Sequence, residues 1–338
     1  RYEPIYEVTQ IKGDGEAHPS LSPNDEFADY ETWDEGNLNL IPKEEGDLKY
    51  EYWREALKNG LMLQEQLGAN PFKVGAAGGT DAHTALSAVE EDNFFGKHSG
   101  VEPSPHRWEH IVLSFEGREI LGWRMASAGY TAVWARENTR ESIWDAMMRR
   151  ETYASTGPRM TVRFFGGYDF TGDDAYAREP GWIGYDKGVP MGGDLPPAPR
   201  GKKPTFLVAA MKDPIDGNLD RIQIVKGWLD KDGETHETVY DVALSDGRRD
   251  GAVPVGNTVD VENATWTNSI GDPELITVWT DPDFDPKERA MYYARVIQIP
   301  TPRWTAYEAK RFNLDLPDEV PMWTQERAYT SPIWYEPK

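Results

Sequence analysis

Apolar positions change their spacing near Pro158, and the change divides the chain into two textures. Before it, Tyr6-Glu7-Val8-Thr9-Gln10-Ile11 reads as a short strand broken by Gly13-Asp14-Gly15. Leu48, Tyr52, Leu57, Leu63 and Leu67 make an apolar stripe that predicts a helix from about Leu48 to Leu67, with Gly68 standing where a C-cap glycine belongs. The run Phe72–Ala77 predicts a second strand, and Ala132–Ala135 a third. Asn138 and Glu141 have the form of a capping box, which opens a helix with Ile143, Trp144, Met147 and Met148 on its apolar face. Strands alternating with helices predict an α/β architecture with a parallel sheet.

Past Pro158 the runs Met160–Phe165, Thr205–Met211, Arg221–Trp228, Thr238–Ala243, Leu275–Trp279 and Tyr292–Ile299 alternate or are rich in β-branched residues. Turns of Pro, Gly and Asp separate them, so residues 160–300 are expected to form a mostly antiparallel β domain. Residues 192–199 read as a linker or long loop. The segment 301–338 is expected to be irregular, rich in aromatics and packed along the body.

The chain has 338 residues, which suggests two domains. A hydrophobic fraction of 38% with 13 Trp makes it globular. A net charge of −22 argues against nucleic acid as a partner and against docking on anionic membranes. A small anionic substrate remains compatible if bound cations reverse the local field. The chain has no Cys, which excludes disulfides, thiolate zinc sites and a Cys nucleophile, so any metal must be held by His, Asp or Glu. No apolar run approaches the roughly 20 residues of a membrane span.

The chemistry concentrates in Gly78-Gly79-Thr80-Asp81-Ala82-His83, directly after the predicted strand 72–77. In extended chain, residues two apart share a side, so Asp81 and His83 can converge on one ion. Glycines before such a pair allow a sharp turn and close backbone approach. Lys12, Asp14, Glu16 and His18 repeat the logic after the first strand, with Glu16 and His18 again two apart. Both clusters are expected at the same edge of the sheet. His106-Arg107-Trp108-Glu109-His110 matches an inverted zinc-protease motif in letters, but Pro103 and Pro105 precede it and a β-branched run follows. Asp281–Pro286 begins like a calcium loop and fails at positions six and twelve, where Pro286 and Tyr292 stand.

Gly79–Thr84, Glu91–Lys97, Glu137–Ala146, Tyr153–Arg159, Leu21–Phe27 and Ile299–Trp304 together resemble a bacterial family of unknown function, DUF3604, nearly end to end. That family is similar to the polymerase-and-histidinol-phosphatase (PHP) superfamily of metallohydrolases. The resemblance implies that 1–159 is the C-terminal part of a distorted (β/α)7 PHP-like barrel, followed by the β domain. It implies that Asp81 and His83 are the final Asp-x-His metal-ligand pair, with Glu16 and His18 also facing the site. It further implies two or three divalent ions (Zn, Mn or Fe). Lys97 and His98, on the loop beyond, are then the candidate catalytic residues.

The superfamily's N-terminal His-x-His is missing from the six histidines. The expectation is therefore a portion of a longer protein, with the missing half of the barrel supplied by the same polypeptide or another chain, and with room for a homo-oligomer. The implied activity is metal-dependent hydrolysis of a small phosphate or sulfate ester, in an extracytoplasmic (periplasmic) bacterial setting. A carboxylic or carbamate esterase and a non-catalytic binding protein are the alternatives.

Overall fold

The computed structural model describes residues 3–34, 36–37, 39–98 and 100–337. Strand Ile5–Gln10 pairs in parallel with Gly75–Gly78, and its other edge carries the two-residue strand Gly13–Asp14. Helix Trp53–Leu67 lies between the two parallel strands in sequence, as a parallel pair requires of its connection. Its buried stripe is Trp53, Leu57 and Leu61, at i, i+4 and i+8; of the predicted set Leu57 belongs to it, Leu48 and Tyr52 are buried just before the helix begins at Trp53, Leu63 is half-buried and Leu67 is exposed. Gly68 does close it, at φ 71, with its N–H donating to the Gln64 carbonyl.

The rest is antiparallel. Strands Leu219–Leu229 and Arg289–Gln298 pair over ten positions at the centre of an eight-stranded sheet. Thr235–Leu244 flanks the first of them, and Arg327–Thr330 and Ile333–Tyr335 flank the second. Strands Glu274–Thr280, Thr205–Met211, Thr161–Gly167 and Gly188–Pro190 form a second sheet of four. Side chains alternate along Arg289–Gln298: Ala290, Tyr292, Ala294 and Val296 enter the core shared with the four-stranded sheet. Met291 and Tyr293 point the other way, onto Trp53, Leu57 and Leu61 of the helix. A strand covered on both faces reads as a continuous apolar run, which is why these segments stood out in the sequence.

The expected C-terminal part of a (β/α)7 barrel is not what forms. Among the described residues the fold is mostly β, with 17% helix, four α-helices and several antiparallel sheets, and no barrel closes. The misleading feature is the second strand–helix step. Helix Arg140–Met148 follows strand Tyr130–Val133, but the next strand, Thr152–Ser155, returns antiparallel to it, so this is not a βαβ crossover. Thr139, one residue later than expected, caps that helix by accepting from Ser142 N–H at 3.3 Å, and Trp144 faces solvent.

Tyr130–Val133 and Thr152–Ser155 belong to the same eight-stranded sheet as Arg289–Gln298, so that sheet runs across residue 159. The segment after Thr301 carries helix Trp304–Phe312 and two strands of that sheet, with Trp304 and Trp334 buried. Within residues 192–199, Asp194–Leu195 pairs with Trp334 and Tyr335.

Candidate functional site

The parallel register sets Thr9 opposite Gly78, so both strands finish side by side and release their loops at one edge. Two glycines make this junction fit. A Cβ on Gly78 would lie 2.8 Å from the Tyr130 carbonyl oxygen, and one on Gly79 would lie 2.2 Å from Glu7 Oε1. Asp81 then takes a left-handed conformation at φ 49, uncommon for a residue with a side chain but tolerated by Asp.

This turn gathers a compact charged group. Asp81 Oδ2 accepts from the ammoniums of both Lys12 and Lys97, and Asp81 Oδ1 lies 3.0 Å from His83 Nε2. Lys97 Nζ also donates to the Asp81 carbonyl at 3.2 Å and stands 3.4 Å from His83 Nε2. The His83 N–H donates to the Lys97 carbonyl at 2.6 Å, which ties the two loops together. His83 is the most open of the group, with 58% of its side chain exposed against 26% for Asp81. Burial works to raise the Asp81 pKa, but the bonds from Lys12, Lys97 and His83 outweigh it and hold the carboxyl well below the usual range. Burial lowers the Lys97 pKa, with the Lys12 charge adding to this and Asp81 only partly restoring it.

Glu7, which the sequence reading did not select, stands beside this group. Its Oε1 abuts Gly79, and its carboxyl is raised first by burial and then by the Asp81 charge, against the pull of Lys12 and Lys97. Its signal was the one acidic residue in the parallel strand Ile5–Gln10.

The other candidates go elsewhere. Glu16 lies in a buried ion cluster: Oε1 accepts from Arg54 Nη2 at 2.5 Å and from the Tyr293 hydroxyl, and Oε2 accepts from Arg295 Nη1 at 2.9 Å. Asp25 bridges the same two guanidiniums at 2.8 and 2.6 Å. Burial opposes the Glu16 charge, yet Arg54 and Arg295 bring its pKa below the ordinary value. His18 turns to Asp34 (3.2 Å) and Ser20 (2.7 Å), beside the Tyr52 ring. His98 is exposed, one residue beyond Lys97. His106 and Glu109 pair at 2.8 Å on the surface.

Two carboxylates and an imidazole are donor types that suit a divalent ion. A carboxylate that draws in two ammoniums also marks a place where positive charge is favoured. The set is incomplete: among the described residues no three His, Asp or Glu are gathered to hold an ion.

Comparison with known proteins agrees with the resemblance. The family described as a protein of unknown function, DUF3604, matches residues 1–337, and the chain belongs to it. No curated protein and no solved structure matches the chain.

Proposed function

We propose that this DUF3604 member is a metal-dependent hydrolase of phosphate or sulfate esters, acting at the strand edge that carries Glu7, Asp81 and His83. The observation behind this is the convergence of Asp81, His83, Lys12 and Lys97 on one turn. The Asp-x-His pair at a strand end is similar to the closing ligand pair of PHP metallohydrolases, and the likeness is carried at the level of these residues, not of a barrel. Asp81 and His83 would hold a divalent ion, Zn, Mn or Fe, with Glu7 beside them; such an ion supplies activated water and charge for the ester oxygens.

The chain's own groups have separate tasks. Lys12 and Lys97 offer ammonium donors to an anionic ester in a molecule of net charge −22. Lys97, with its pKa brought down by burial, gives up a proton more readily than a free lysine, which suits protonation of a leaving oxygen. His83 Nε2, 3.0 Å from Asp81 Oδ1, is oriented by that carboxylate. His98, next along the exposed loop, is the further candidate for contact with the ester group.

The test is hydrolysis of nitrophenyl phosphate, sulfate and acetate by protein loaded with Mn or Zn. Turnover of the phosphate or sulfate should depend on added metal and fall roughly 100-fold or more in Asp81→Asn. Turnover of the acetate alone would favour a carboxylic esterase. No turnover of any ester would leave a binding protein.

A further inference from the structure

A cleft of about 270 Å³ opens beside the charged turn, between strand Ile5–Gln10 and the start of helix Trp53–Leu67. Drug-sized ligands occupy roughly 300–1,000 Å³, so this space suits a single ring. Lys12 and Glu7 line its end nearest Asp81, while Trp33, Asn37 and Tyr52 line the remainder. Asp14 also lines it, buried to 5% exposure. The wholly buried Tyr329 hydroxyl hydrogen-bonds to that carboxyl from behind and does not line the cleft.

Away from Glu7, at the end nearest Asp81, the charged side chains around the cleft are paired. Glu51 holds Lys43 at 2.7 Å, and Lys12 is taken by Asp81. No lining ammonium is therefore left over for a second anion, nor is Glu51 free for an amine. What remains is the ring surface of Trp33 and Tyr52 and the Asn37 amide, whose Oδ1 is taken by the Asn39 and Ile41 N–H groups at 2.9 and 3.3 Å, leaving its NH2 to donate. Aromatic surface with a few convergent polar groups suits a ring that is apolar on its face and hydroxylated at its rim.

We propose that this cleft is the subsite for a single sugar-like, hydroxyl-rich ring of the substrate, whose ester group reaches toward Lys12 and Asp81. This names the substrate class for the hydrolase site above and rests on that reading only for the position of the ester.

The experiment is a binding titration of the metal-free protein with glucose, galactose and N-acetylglucosamine 6-sulfates, and with cyclohexylmethyl sulfate, which keeps ring and ester but lacks hydroxyls. Tryptophan fluorescence and saturation-transfer NMR report binding. At least one sugar sulfate should bind about tenfold more tightly than cyclohexylmethyl sulfate, equivalent to about 1.4 kcal/mol. Trp33→Ala should weaken that sugar sulfate by a similar factor, and Asn37→Ala should narrow its advantage. Both residues lie at the cleft's partly exposed rim, and circular dichroism checks their folding. Equal affinity for all the sulfates, absence of binding, or affinity unchanged in Trp33→Ala would overturn the proposal. Failure of the hydrolase reading shows separately, as sugar binding without turnover of any ester.

Discussion

Asp81 carries opposite demands: a left-handed backbone, two ammoniums on one carboxylate oxygen, and an imidazole on the other. Its charge is one of the influences keeping Lys97 protonated, so Asp81→Asn should lower the Lys97 pKa further and Lys12→Met should raise it. NMR titration of the lysine side chains checks both signs. Asp14 offers a second residue-level test. Burial raises its carboxyl to about 7, with the Glu16 charge adding and the Glu16 N–H opposing. Its folded pKa lies above its ordinary value of 3.8, so its contribution to stability is intact below that pH and is lost as pH rises through 7. Thermal melts should show stability falling between about pH 4 and 7, and Asp14→Asn, which cannot ionise, should flatten that fall by up to about 4 kcal/mol. An unchanged slope would show that Asp14 does not set this pH dependence. Glu16 shows the limit of spacing as a signal. Glu16-x-His18 has the same interval as Asp81-x-His83, but the partners that claim Glu16 lie up to 279 positions away. Glu16→Gln should therefore cost roughly 3–5 kcal/mol of stability by leaving buried guanidiniums uncompensated, as read by urea unfolding.

At the scale of elements, burial on one or both faces decided what was legible. The runs at 205–211, 219–229 and 289–298 declared themselves because both faces pack, and all three are strands. The first helix declared itself through its apolar positions, although Trp53 and Leu61 replaced Leu63 and Leu67 in its stripe. Leu57 is wholly buried between that helix and the large sheet, so Leu57→Ala should cost about 2–5 kcal/mol, whereas Leu67→Ala, 71% exposed, should stay within about 0.5 kcal/mol. Equal costs by urea unfolding would contradict this packing. Pairing direction was not legible. A helix between two strands lies in the connection both of the parallel pair 5–10 with 75–78 and of the antiparallel pair 130–133 with 152–155. Only long-range partners distinguish the two cases.

For the whole molecule, an eight-stranded and a four-stranded sheet share one core, while a small parallel sheet and its helix cover the outer face of the larger one. That parallel pair is the part of the α/β expectation that holds, and it presents the candidate site. Asp81 and His83 were legible because glycines, a strand end and the two-residue interval coincide in a few positions. Glu7 and the Lys12 bridge were not, because the register that joins the two strand ends is a tertiary fact.

If hydrolysis runs at this strand edge, Asp81 and His83 must hold a metal ion there. The most direct measurement is metal content per chain, by plasma mass spectrometry after loading with Mn or Zn and desalting, on wild type and Asp81→Asn. The wild type should retain ion and the variant should lose it, with ester turnover following the metal. Wild-type protein that retains no ion, or a variant that retains as much as the wild type, would contradict a metal site at this edge.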